Sequence, residues 1–157
     1  NNWNSFLTCP VPLSCLYLGK LLQAVKVMVL GNIWIFLLYF ICGKLCALTD
    51  PFPAKTLEWF LCGLLGGSVI CCVQLAVSMV IRSFAVPIGI GLVGGIGGLL
   101  AANKGLGLWY PYSLYSLGMR ANNPQMEIDL RAFTVSCVLY LVLLSGLSIA
   151  ALRRHEQ

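Results

Sequence analysis

Residues 59–81 read WFLCGLLGGSVICCVQLAVSMVI, a run with no charged side chain. As a helix rising 1.5 Å per residue it covers about 34 Å, enough to cross a hydrocarbon core of about 30 Å. Helix is the required form, because lipid offers no partner to a free backbone N–H or C=O. Working outward, the same absence of charge recurs over 27–43, 83–103 and 132–152. With their flanks these intervals predict four spans, near 24–48, 57–81, 84–103 and 131–152. The expected fold is an all-α integral membrane protein, one transmembrane domain over 1–157.

Composition agrees. Hydrophobic residues make up 59% of the chain and charged ones 10%, with a mean hydropathy of +0.89, where a soluble domain carries about 25% charge. A soluble fold of this size lacks the interior to hide so much apolar surface. The lipid bilayer is therefore the expected partner. The net charge of +5 is scattered, which argues against nucleic acid. Lys20, Lys26, Arg82, Arg153 and Arg154 fall near one set of span ends, the pattern of a cytoplasmic membrane surface. Near the other ends fall Asp50, Glu58, Glu127 and Asp129, together with Lys55, Lys104, Arg120 and Arg131.

Eight cysteines are present, most of them in apolar runs where Cys behaves as a small hydrophobe. There is no C-x-x-C pair, and the single histidine is His155, so neither a metal nor another cofactor is expected. Ser68, Ser78, Ser136, Ser145 and Ser148 have no neighbouring base in sequence to activate them. The chain is not expected to be an enzyme.

The connections differ in character. Pro51 and Pro53 end the first span, and Arg82-Ser83 leaves a tight hairpin between the second and third. In 105–119, Trp109, Tyr110, Tyr112 and Tyr115 crowd around Pro111. Tyr and Trp favour the membrane interface, so a short re-entrant or interfacial helix is expected there, at the outer face. Segment 1–20 is broken by Pro10 and Pro12 and is not expected to span. Within it Trp3, Phe6 and Leu7 stand at i, i+3, i+4, one apolar face of a short helix.

Gly89-Ile90-Gly91-Leu92-Val93-Gly94 matches G-x-G-x-x-G, but no strand precedes it and it lies inside a span, so a dinucleotide turn is rejected. Gly91 with Gly95, Gly94 with Gly98, and Gly63 with Gly67 instead form small-x-x-x-small pairs suited to helix packing. Asn32 and Gln74 are the most polar side chains within spans. Either they line a substrate path or they hydrogen-bond between helices. Counted from Lys26 and Arg82 they lie at similar depth, so a bond between them is expected.

The run Trp3-Asn4-Ser5-Phe6-Leu7-Thr8-Cys9-Pro10-Val11-Pro12, followed by Leu16-Tyr17-Leu18-Gly19-Lys20, resembles the cytoplasmic segment of ABC type-2 permeases. There a short coupling helix ends near a Pro-Val-Ser-Arg-like turn before the third span; here Pro12-Leu13 stands where that family often has Ser-Arg. Trp109-Tyr110-Pro111-Tyr112-Ser113 resembles the aromatic-proline re-entrant element before that family's last span. The likeness is greatest to the small permeases of bacitracin-resistance and lantibiotic-immunity exporters. It implies a six-span protein of the bacterial plasma membrane, of which a chain starting at Asn1 would lack the first two spans. It also implies two partners: a separate ATP-binding cassette ATPase, engaged by Trp3, Phe6 and Leu7, and a second permease subunit, identical or not. The implied cargo is an amphiphilic peptide or drug of the antibiotic type, moved outward. The competing readings are a non-transporting structural or accessory membrane protein, and an intramembrane enzyme.

Overall fold

In the computed structural model, residues 12–47, 54–81, 83–121 and 125–154 are described. They form five helices: α1 (Leu13–Leu45), α2 (Thr56–Val80), α3 (Ala85–Asn103), α4 (Ser113–Gly118) and α5 (Leu130–Arg154). Four of them, all but α4, are long and apolar enough to cross a membrane, and no strand occurs among the described residues. The all-α, four-span architecture follows from the charge-free runs that predict it.

Helix α1 begins at Leu13, before the span expected from residue 24, so the end of segment 1–20 is helical and continuous with that span. The reason is local. Pro12 stands at the N-cap, and its carbonyl accepts from Cys15 N (2.8 Å) and Leu16 N (3.3 Å). Proline at a helix start costs nothing, because no N–H is needed there, and no breaker follows until Ala47. At 33 residues α1 is about 50 Å long, so it outreaches the hydrocarbon core.

Side-chain pairs fix the directions. Phe36 meets Phe60 edge-on at 4.9 Å, while Tyr17 meets Cys72 at 3.1 Å, so α1 and α2 run antiparallel. Phe133 and Cys137 pack in one cluster with Val69, and Ser145 lies 3.5 Å from Cys72, so α2 and α5 run parallel. Helix α2 is the central element: it packs against α1, α3, α4 and α5.

The core is not at the middle of the bundle. Val69, Leu114, Leu117, Phe133 and Cys137 form it, with Cys62, Leu65, Leu108 and Tyr140 against them. It therefore surrounds α4, at one end. That end is called here the α4 end, and the end carrying the α2–α3 connection the far end. Elsewhere the helices present Leu, Ile, Val and Phe outward, on all four spans. In water this would be untenable; against lipid tails it is the expected surface.

Candidate functional site

The segment between α3 and α5 is held by backbone before any side chain is considered. Helix α3 ends in a Schellman turn: Leu106 N donates to Ala101 O (3.0 Å) and Gly105 N to Ala102 O (3.3 Å). Gly105 takes the left-handed position with φ 74°, the conformation that glycine adopts freely. The chain then folds back on itself. Ser113 Oγ donates to Tyr110 O (2.6 Å) and to Gly107 O, tying the turns over 107–112 to the start of α4. Of the expected 105–119 helix only Ser113–Gly118 is helical, because Pro111 and these serine bonds hold the rest in turns.

Helix α4 is sunk into the bundle. A Cβ placed on Gly66 would lie 2.5 Å from Leu114 O, and one on Gly98 2.7 Å from Tyr112 O. Reciprocally, one on Gly118 would lie 2.7 Å from the Cys62 carbonyl. These are backbone-to-backbone contacts that only glycine permits. Gly66 is ten residues into α2, so α4 reaches about 15 Å down that helix.

The glycines of the expected pairs meet two kinds of partner. Gly94 and Gly98 do lie on one face, but what they admit is Tyr112, whose ring covers Gly94 and whose backbone covers Gly98. Gly91 admits the Gln74 amide, and Gly95 meets nothing within 4 Å. Gly63 receives Met119 and Gly67 receives Met28. Gly67 and Gly91 thus take side chains of neighbouring spans, while Gly63, Gly94 and Gly98 admit the segment between α3 and α5. Gly66 and Gly118, both buried, were missed because neither belongs to a conspicuous spaced pair.

The polar groups follow the same plan. Asn32 is 3% exposed. It accepts from Tyr115 Oη (3.0 Å) and donates to Met28 O (3.0 Å). Gln74 bonds Tyr112 Oη at 3.1 Å. The expected Asn32–Gln74 bond is thus replaced by two bonds, one to each of two tyrosines of the re-entrant segment. Each tyrosine hydroxyl reaches one amide, Tyr115 that of Asn32 on α1 and Tyr112 that of Gln74 on α2. Of the remaining aromatics, Trp109 is exposed and its carbonyl accepts from Tyr140 Oη (2.6 Å), and Tyr110 stacks obliquely on Tyr112 at 5.8 Å. Pro111 is half-buried in the turn before α4.

At the mouth of the α4 end sits an ion pair that charge patterning alone did not single out. Arg120 follows α4 with φ 53°, in the Schellman position where glycine is usual. Its side chain offsets that strain by donating through Nη1 to Leu117 O (3.0 Å) and Gly118 O (3.3 Å), and through Nη2 to Glu58 Oε1 (3.3 Å). The guanidinium is 4% exposed and Glu58 35%. Glu58 and Arg120 border a polar recess of about 270 Å³ with Lys55, Gln125 and Glu127. The available signal was that both charges belong to the same end of the spans.

The far end is built differently. Tyr17 Oη lies 3.1 Å from Cys72 Sγ and 3.4 Å from Ser145 Oγ, joining α1, α2 and α5. Beyond it α2 and α5 leave an apolar cleft of about 530 Å³ lined by Ala76, Met79, Leu144, Leu147 and Ala151. No cluster of three metal-ligating side chains occurs among the described residues. Trp3, Phe6 and Leu7 lie outside the described residues.

The family model described as "ABC-2 family transporter protein" matches residues 1–98. The chain belongs to the ABC-2 transporter family. No curated protein and no solved structure matches it. As an ABC-2 permease with four apolar helices, it is a multi-pass protein of the plasma membrane and a membrane component of a transporter. The matched stretch ends within α3, so the re-entrant segment and α5 lie beyond it.

Proposed function

We propose that this chain is the permease subunit of an ABC exporter that moves an amphiphilic peptide or drug out of the membrane. A separate ATPase supplies the energy, and a second permease subunit, identical or not, completes the pathway. Membership of the ABC-2 family over residues 1–98 carries this reading.

The asymmetry of the bundle supports it. In this reading the α4 end is the outer face, as expected of a re-entrant element before the last span, and the far end, where Lys20 and Lys26 lie, is cytoplasmic. The cleft between α2 and α5 then opens on the cytoplasmic half, where an amphiphile enters from lipid. The outer half is closed by α4 and its glycine cradle. Asn32 and Gln74 act in this scheme as anchors of the closure, because both amides are already engaged by its tyrosines.

Helix α1 begins at the cytoplasmic end, so the preceding Trp3, Phe6 and Leu7 are positioned in sequence to meet an ATPase. The test is the double substitution Trp3→Ala with Phe6→Ala, in cells that also express an ABC ATPase encoded beside the permease. Membrane insertion should persist, since the spans are untouched. Co-purification of the ATPase should fall to background, and protection against the exported peptide should disappear. Survival of both would refute the coupling assignment.

A further inference from the structure

Gln74 makes an unusual set of contacts for a side chain inside a span. With its amide turned so that both ends are satisfied, the nitrogen donates to Pro87 O (3.2 Å). The oxygen accepts from Gly91 N (3.2 Å) and from Tyr112 Oη (3.1 Å). Pro87 and Gly91 are four residues apart on α3, so their carbonyl and N–H are the two ends of one rung of the helix ladder. The Gln74 amide, chemically a peptide group, holds both ends of that rung.

Two features show that the segment is shaped for this grip. A Cβ at Gly91 would collide with the Gln74 amide, so the approach requires glycine there. Pro87 lies in the first turn of α3, where its missing N–H leaves no gap in the ladder. The third contact, Tyr112, belongs to the segment that closes the α4 end. Its ring lies over Gly94 and its backbone against Gly98. One side chain on α2 thus touches both the far-end portion of α3 and the closure at the other end.

A side chain inserted into the i→i+4 ladder is a recognised origin of helix bends. It also gives two discrete arrangements. With Gln74 engaged, the rung is shared with α2. With Gln74 withdrawn, Gly91 N and Pro87 O are left to each other alone, as in a regular helix. Neither arrangement strands a backbone group in lipid; withdrawal breaks only the bonds of the Gln74 amide, which must then find other partners. Two discrete arrangements of this kind are what is required of an element on which two sites act.

We infer that Gln74 is a positioning residue for transport: it couples the Tyr112-bearing closure to the Pro87–Gly91 rung of α3, so that the two move together. This rests on the exporter reading for its purpose, but not for its geometry.

Hydrogen exchange read by mass spectrometry on the whole chain in detergent micelles tests the geometry. Tyr112→Phe keeps the ring on Gly94 and removes only the hydroxyl. Exchange over 88–94 should rise about two- to tenfold, the effect of one hydrogen bond of ordinary strength on a local opening. Gln74→Leu should raise it at least as far, and adding Tyr112→Phe to Gln74→Leu should change nothing more. Should Gln74→Leu fail to accumulate, Gln74→Met serves. It keeps the length of the side chain, removes every amide hydrogen bond, and should raise exchange over 88–94 within the same range. Unchanged exchange in Tyr112→Phe, or full additivity of the two substitutions, overturns the coupling.

A second arm uses the complex with the ATPase. On adding ATP, exchange over 88–94 and over 107–118 should change together in the unaltered protein, and independently in Gln74→Leu. Joint change in Gln74→Leu overturns the role in transport. If the ATPase does not bind at all, the exporter reading fails while the micelle result stands.

Discussion

The two halves of the bundle are held by different chemistry. At the α4 end, backbone meets backbone: Gly66 on Leu114, Gly98 on Tyr112, Gly118 on Cys62. Toward the far end, α1, α2 and α5 meet through the hydroxyls and thiol of Tyr17, Cys72 and Ser145, and then part around an open cleft. In lipid no hydrophobic drive holds helices together, so close packing and hydrogen bonds must do it. The α4 end uses both and is closed. The far end has fewer of either, and α2 and α5 part there around the cleft.

The largest effect should come from breaking the first half at its tightest point. Gly66→Val places carbon against the Leu114 carbonyl, which is backbone and cannot step aside. A loss of more than about 3 kcal/mol is expected, at the upper end of overpacking costs, read as loss of a monodisperse, thermally cooperative protein in detergent. Gly95→Ala is the control. It meets nothing within 4 Å and should be neutral or stabilising by up to about 1 kcal/mol through helix propensity. Equal effects at the two positions would mean that α4 is not seated between α2 and α3.

This contrast also shows what was legible in the sequence. The runs 59–81 and 132–152 had to become spanning helices, because the absence of charge over that length leaves no other stable form. The Trp109–Tyr115 cluster marked a segment that turns back. What the sequence could not supply was the partner of each small residue. Gly95 and Gly98 look alike in a spaced pattern, yet one faces open space and the other a peptide group. Likewise Asn32 and Gln74 were visible as polar residues at matching depth. That each would be taken by a different tyrosine depends on how deep α4 sinks, which is set by Gly66 and Gly118. Helix α1 extends N-terminal of residue 24 for a simpler reason: Pro12 sits at its N-cap, where the missing N–H is not needed.

A middle-sized effect is expected where the closed half meets solvent. Arg120→Ala removes two bonds to the carbonyls of Leu117 and Gly118 together with the Glu58 pair, and leaves a left-handed residue with nothing to offset its cost. A loss of about 2–3 kcal/mol is expected, the range for charge-assisted bonds to buried groups. Glu58→Gln should cost less, about 1 kcal/mol, since Glu58 is one-third exposed and solvent screens its charge. Thermal unfolding in detergent, followed by tryptophan fluorescence, separates the two. If Glu58→Gln proves the worse of the pair, the ion pair rather than the capping of α4 is what holds that end.

The smallest effect should mark the open half. Ser148 lies on α5 between the Tyr17 cluster and the cleft, and is 5% exposed. Its Oγ is buried close to the Tyr17 hydroxyl, yet it makes no hydrogen bond of good geometry among the described residues. A buried hydroxyl left unmade costs free energy, so removing it should help rather than harm. Ser148→Ala should therefore stabilise the protein slightly, by up to about 1 kcal/mol, the low end of what such groups cost. The opposite sign is expected for Ser145→Ala, because Ser145 Oγ lies within bonding distance of both Tyr17 and Cys72. The two serines sit three residues apart on one helix, with the same helix propensity and the same size, so propensity and volume cancel in the comparison. What remains is hydrogen bonding alone. Denaturant titration of both variants in mixed micelles reads the difference. If Ser148→Ala destabilises as much as Ser145→Ala, the hydroxyl is bonded within the Tyr17 cluster, and the far end is held more tightly than its cleft implies.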